Sequence, residues 1–363
     1  MPEVAHPDLT RLKWLGHALS PYGDKDWVCR NISRDEQDWR FLIGVGSRHF
    51  VLPALHRALV AEKMETEPPD DAREALEGVY LLNRERNRAL RAQMLELSHL
   101  LNGLGVAPVW LKGATTLLNE DWAASARMMV DLDFWIEDER AYDNILATFD
   151  LDGYQTCEGD TGENHLEHHH FAPRYKKGRP ASVEFHKSPC ELKFQDLLDG
   201  ARAIDRVEWI AWEGTEIGQL CAVDRLMNSY LQCISFHADV NRPDDRRLTA
   251  VAHFSKTLDF LERFAASQTS TKDEFFQRLR AGRRMSDARK FFSILKLYFG
   301  LEAGLDVDAS FLKSIVFATR HPKFVYARYM AGHAWKTVID GRLGPPGAWW
   351  TKIYRHARNF HER

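Results

Sequence analysis

The sequence predicts an α+β protein in which a mixed β-sheet with flanking helices lies between a helical N-terminal region and a helical C-terminal domain. Three observations lead to this class. A long amphipathic helical pattern, Ala72 to about Leu104, runs into two apolar stretches, Val109–Leu111 and Met128–Ile136, that read as strands. A later segment, Ala181–His186, alternates polar and apolar residues as a half-buried strand does. From Thr215 onward helical patterns dominate and strand signals are nearly absent. The expected regions are therefore 1–71, 72–214 and 215–363.

In chain order, Ser33-Arg34-Asp35-Glu36 resembles a helix start, followed by Trp39, Phe41, Leu42 and Val45, and Phe50, Leu52, Leu55 and Leu59 continue in the same manner. Pro68-Pro69-Asp70-Asp71 breaks the chain and offers an N-cap to the long helix, whose expected core stripe is Val79, Leu82, Leu90, Met94, Leu97 and Leu101. Asn102-Gly103-Leu104-Gly105 ends it. A buried strand, a turn at Gly113, a brief helix from Thr115 and a second strand carrying Asp131 and Asp133 follow. Asp138–Phe149 reads as a helix, Gly153-Tyr154 as a turn into a strand, and His165–Lys187 as a hairpin turning at Lys176–Pro180. The expected later helices are Ala222–His237, Leu248–Phe264, Lys272–Leu279, Ser286–Phe299, Ala309–Ala318 and Pro322–Val338, before an aromatic and basic tail, Ala348–Arg363.

Composition bounds the function classes. With 363 residues, 44% of them hydrophobic, the chain is long enough for two or three packed domains. A net charge of −3 argues against coating nucleic acid or membrane by bulk charge. There is no signal-peptide pattern and no apolar run of the roughly 20 residues that a spanning helix needs, so the expected address is the cytoplasm. The five cysteines are scattered without a C-x-x-C pair and read as reduced thiols.

The chemistry concentrates between Leu111 and His186. In a strand, residues i and i+2 share a face, so Asp131 and Asp133 stand side by side while Leu132 and Phe134 turn to the core. Ser182, Glu184 and His186 likewise share a face, which supplies a third carboxylate. Three carboxylates on neighbouring strands suit metal-dependent phosphoryl or nucleotidyl transfer, and hard oxygen ligands suit magnesium. Gly113, between a strand and a helix, allows close approach to phosphates; Thr115 or Thr116 offers a hydroxyl, and Lys112 or Arg127 a positive charge.

Together these residues resemble the DNA polymerase β-like nucleotidyltransferase superfamily. They resemble more closely an uncharacterised bacterial subgroup whose core reads L-K-G-A, Arg, D-h-D and an acid two residues before His. The matching elements are Leu111-Lys112-Gly113-Ala114, Arg127, Asp131-Leu132-Asp133 and Val183-Glu184-Phe185-His186, with Leu231–His237 similar to a later helical segment. The resemblance covers roughly Ala75 to Phe260. It implies a nucleotidyltransferase palm, Mg2+ (or Mn2+) held by Asp131, Asp133 and Glu184, and a nucleoside triphosphate, ATP by expectation. Lys112, Gly113, Thr115, Thr116 and Arg127 would bind the nucleotide, His170 and His186 would contact substrate, and a small molecule or protein would be the acceptor. Ala114 stands where the wider superfamily has a phosphate-binding serine, and the interval to the aspartates is longer. A non-catalytic nucleotide-binding or scaffold protein is accordingly the rival from another class.

Each residue also has a plainer reading. Lys112 sits on an apolar strand and is either a phosphate ligand or a salt-bridged lysine; Arg127 either meets substrate or braces the aspartates. His165, His168, His169 and His170, together with His186, invite a zinc site in a histidine-rich metallohydrolase, but adjacent strand residues face opposite sides, so at most alternate ones such as His168 and His170 share one metal. His237 reads as a core histidine, and the tail as a helix packing its tryptophans on the body in preference to a nucleic-acid surface.

Overall fold

The computed structural model describes residues 7–33, 35–119, 121, 126–157, 169–237 and 253–320. Four helices come first: α1 (Pro7–Leu19), α2 (Lys25–Arg30), α3 (Glu36–Arg48) and α4 (Leu52–Ala61). Asp24 and Asp35 cap α2 and α3 by accepting from the N–H groups of Trp27 and Gln37. The 34-residue α5 (Asp70–Gly103) is about 51 Å long at 1.5 Å per residue.

The stripe that α5 buries differs from the expected one. It runs Leu76, Asn83, Asn87, Leu90, Met94, Leu97 and Leu101, while Leu82 is 72% exposed. Its polar members are bracing groups. Asn83 and Asn87 donate to the carbonyl of Arg127 at 3.2 and 3.4 Å, Arg86 donates to that of Met129 at 3.1 Å, and the Gln93 amide pairs with both backbone groups of Ala181. One helix thus fixes the approaches to two strands, because buried amides need partners and these carbonyls supply them.

Those strands belong to a sheet of seven. The chain forms β1 (Val109–Trp110), a 3-10 turn over Lys112–Leu118, β2 (Asp131–Trp135), α6 (Tyr142–Leu151), β3 (Gln155–Thr156), β4 (Arg174–Tyr175) and β5 (Ser182–His186). After α7 (Gly200–Ala203) come β6 (Glu208–Trp212) and β7 (Thr215–Gln219). The sheet order is β3-β4-β5-β2-β1-β7-β6, with β2 parallel to β5 and β1 parallel to β7. β7 is a strand where helical signals were expected to take over. Glu213 and Gly214, both with positive φ, form the two-residue turn that folds β6 onto it. The brief helix expected from Thr115 is the 3-10 turn beginning at Lys112.

Five helices follow: α8 (Ala222–His237), α9 (Phe254–Ala266), α10 (Thr269–Ala281), α11 (Met285–Phe299) and α12 (Ala309–Arg320). The expected helix Pro322–Val338, the tail, His165 and His168 lie outside the described residues. Two cores hold the chain. One face of the sheet, with Leu132, Phe134, Val183 and Phe185, packs on α5 and α6; the other core unites α1, α3 and α4 with α8–α11. Among the described residues no helix is long and apolar enough to cross a membrane.

Candidate active site

The sheet face opposite Phe134 carries the polar cluster. Parallel pairing of β2 with β5 sets Asp133 across from Glu184 and Trp135 across from His186. The Lys112 ammonium pairs with Asp133 and lies 3.5 Å from both Glu184 Oε2 and His186 Nε2. His186 Nε2 is 2.8 Å from Asp133 Oδ1 and 3.6 Å from Glu184 Oε2. Asp133, Glu184 and His186 each offer a ligand atom within 4.8 Å of the others.

Charge sets the protonation of this cluster. Burial alone would raise the Asp133 carboxyl, but Lys112 and His186 hold it well below the usual range. For Lys112, burial opposes the charged form, and Asp133 and Glu184 more than offset it, so its value is raised. Asp131, half-buried on the same strand face, is pushed up to about 6 by burial and by repulsion from Asp133 and Glu184. Asp131 and Asp133 therefore respond in opposite directions because the ammonium reaches only one of them closely.

The remaining expected residues are arranged around this centre. A Cβ on Gly113 would lie 2.9 Å from Met129 Cγ and Sδ, so the missing side chain lets the turn pack closely against the Met129 side chain in the run-in to β2. Ala114 is buried. The Thr115 hydroxyl donates to the Lys112 carbonyl at 2.9 Å and accepts from Arg263, so it braces the turn. Thr116 lines a polar cavity of about 660 Å³ with Asn119, Arg225, Arg263 and Gln268. Arg127 donates to the Ser255 carbonyl at 2.8 Å and pairs with Asp259 at 3.5 Å, so it ties the run-in to α9 and not to the aspartates of β2. His170 Nδ1 is 2.7 Å from the Phe171 carbonyl, and its ring lies 5.3 Å from that of His186.

Sequence reasoning missed one face of α9. Lys256, Asp259 and Arg263 recur at helical spacing, the one signal that pointed to them. Arg263 grips Asp259, the Lys112 carbonyl and Thr115, and Ser229 donates to Asp259 at 2.7 Å. Burial would raise the Asp259 carboxyl, yet Arg263 and Arg127 bring it down to about 2. Lys256 is lowered to about 8 by burial and by the nearby Lys112. α9 thus brings a second ammonium toward the carboxylates and locks the turn that carries the first.

Residues 35–280, more than half of the chain, match the model of a family described as an uncharacterised nucleotidyltransferase. The chain belongs to this family. No curated protein and no solved structure matches it. In this nucleotidyltransferase the matched span runs from the cap of α3 almost to the end of α10. It takes in the whole sheet, the carboxylate cluster and the α9 face, and leaves α11 and α12 outside.

Proposed function

We propose that this nucleotidyltransferase moves a nucleoside monophosphate from a nucleoside triphosphate to a hydroxyl of an acceptor, using a divalent cation held by Asp131, Asp133 and Glu184. The observation that carries the reading is the convergence of Asp133 and Glu184 from paired strands on one point, with Asp131 near enough to feel both. The donor set fits such an ion. Three crowded carboxylates present hard oxygens, and the repulsion that raises Asp131 is relieved when a cation arrives. Bound there, magnesium or manganese supplies charge stabilisation at phosphate and acidifies a coordinated hydroxyl.

The chain's own groups have distinct parts. The acceptor oxygen forms a bond to the α-phosphorus as the bond to the β-phosphate oxygen breaks; the hydroxyl proton passes to a carboxylate of the cluster and pyrophosphate leaves. Lys112 and Lys256 neutralise phosphate charge, and the Gly113 turn gives the triphosphate a close backbone approach. ATP is the expected triphosphate. The 660 Å³ cavity, walled by the same turn and by α8–α10, is of a size that takes a small-molecule acceptor.

The test is pyrophosphate release and label transfer from α-labelled triphosphates, with magnesium and pools of small-molecule and protein acceptors. Transfer that disappears in Asp131→Ala and Asp133→Ala supports the reading. Tight nucleotide binding with no pyrophosphate from any pool, unchanged in Asp131→Ala, overturns it in favour of a nucleotide-binding protein without turnover. One observation favours that second reading: Ala114 is buried and the Thr115 hydroxyl is engaged, so neither of the two residues directly after Gly113 presents an uncommitted hydroxyl.

A further inference from the structure

We infer that His186 is a nitrogen ligand of the same cation, giving the site a mixed oxygen and nitrogen donor set that favours a first-row transition ion such as manganese over magnesium. This rests on the metal-dependent reading above and adds a ligand to it. The sequence pattern offered His186 as a substrate contact or a support to the carboxylates, and otherwise as a member of a histidine zinc cluster, but its ring is fully buried, with no surface to offer an acceptor.

The geometry is the main support. His186 Nε2 lies 2.8 Å from Asp133 Oδ1 and 3.6 Å from Glu184 Oε2. Neighbouring ligands around an ion with bonds of about 2.1 Å stand about 3 Å apart, so the three atoms need only small adjustments to share one ion. A cation already stands among them: the Lys112 ammonium pairs with Asp133 and is 3.5 Å from the other two donor atoms. In the absence of an ion the ionised Asp133 carboxylate at 2.8 Å accepts from the Nε2–H, so an ion that takes the place of the ammonium also takes the place of this proton and receives the nitrogen lone pair.

The ring is also held and electronically available. β5 fixes its backbone beside Trp135 of β2, and the rings of His169 and His170 flank it at centroid distances of 5.1 and 5.3 Å. Nδ1 has no hydrogen-bond partner among the described residues, so no contact on that side opposes a proton that moves there from Nε2 when an ion binds. An imidazole added to carboxylates moves a site's preference from magnesium toward first-row transition ions, because nitrogen binds these more strongly than it binds magnesium. For the ion to enter, Lys112 must give way, and a triphosphate provides its next partner.

Pulsed electron paramagnetic resonance of the full-length protein loaded with manganese(II) reads the ligand directly. The expected result is an imidazole nitrogen modulation that changes isotope pattern in protein labelled with [15N]histidine. It should vanish in His186→Gln while one ion still binds, and persist in His170→Gln. Manganese affinity in His186→Gln should fall by about ten-fold or more, with magnesium affinity moving far less. Labelling leaves the fold untouched, so the first readout stands even if the variant is unstable. Bound manganese without nitrogen modulation, or modulation that survives in His186→Gln, overturns the inference and leaves the metal-dependent reading in place. A protein that binds neither ion, with or without a triphosphate, overturns both.

Discussion

At the scale of single residues, the centre is Asp133, which serves Lys112 and His186 at once while almost wholly buried. Removing its charge leaves the ammonium without its closest partner, with Glu184 at 3.5 Å and the more remote Asp131 to balance it, and breaking a buried pair in this way costs about 3 kcal/mol. Asp133→Asn is therefore expected to lower stability in chemical denaturation and to reduce nucleotidyl transfer by more than about 100-fold. Equal stability of variant and parent would show that Lys112 finds another partner at no cost. Asp131→Asn should have the opposite sign on stability, because its carboxylate is repelled by its neighbours and gains nothing from the ammonium comparable to Asp133. Measured at pH 7.5, above its value of about 6, the neutral amide should stabilise the protein free of divalent ions while abolishing transfer.

At the scale of elements, α9 matters most, since it carries Lys256, Asp259 and Arg263 and starts against His49. The buried His49 ring accepts from the Phe254 N–H at 3.3 Å, and burial together with His253 and Arg48 depresses it to about 3 from 6.5. In the unfolded chain it takes up a proton near 6.5; folded, it resists until about 3. The stability it contributes is thus complete above 6.5 and is lost as pH falls toward 3, by up to about 1.4 kcal/mol per pH unit. Urea unfolding between pH 7.5 and 4.5 should show a slope that becomes shallower in His49→Gln; identical slopes would refute it.

The same scale shows what could be read beforehand. Alternation alone put Asp131 and Asp133 on one face and Glu184 with His186 on one face, because the strand period is a local property. Nothing local said that β2 and β5 pair in parallel with Asp133 opposite Glu184, a match between segments about fifty residues apart. The β6–β7 hairpin was legible in principle, since Glu213-Gly214 separates two aromatic and aliphatic runs, but Gly218 weakens the strand signal. Its absent Cβ is explained only by the neighbours: an added one would lie 2.7 Å from Val207 and 3.0 Å from Val109. Asn83, Asn87 and Gln93 look like solvent-facing helix residues and turn out to hold backbone of the run-ins to β2 and β5, a long-range use that composition hides.

At the scale of the whole molecule, the first described helix and α11, nearly three hundred residues later, belong to one core. α1 and α11 touch backbone to backbone: a Cβ on Gly16 would stand 2.1 Å from the Tyr298 carbonyl oxygen. Tyr298 and Phe299 belong to the core that also contains Phe260 of α9, so the packing of the N-terminal helices continues into the helix behind the site. Gly16→Ala is expected to cost about 1–3 kcal/mol by forcing the two helices apart. The loss should appear in one cooperative transition followed by both tryptophan fluorescence and far-ultraviolet circular dichroism. Two separated transitions would mean that the helical ends and the sheet unfold independently.

The Lys112 ammonium also changes the accounting of charge at the carboxylates. On the metal-dependent reading proposed above, a divalent ion would load by exchange with the monovalent cation built into the fold, the lysine's positive charge withdrawing as two arrive. The cluster would then gain one unit of charge and not two, and the departing ammonium would be free to meet the incoming polyphosphate. Ion and nucleotide would thereby be linked thermodynamically through a single side chain, each expected to bind more tightly in the other's company than alone.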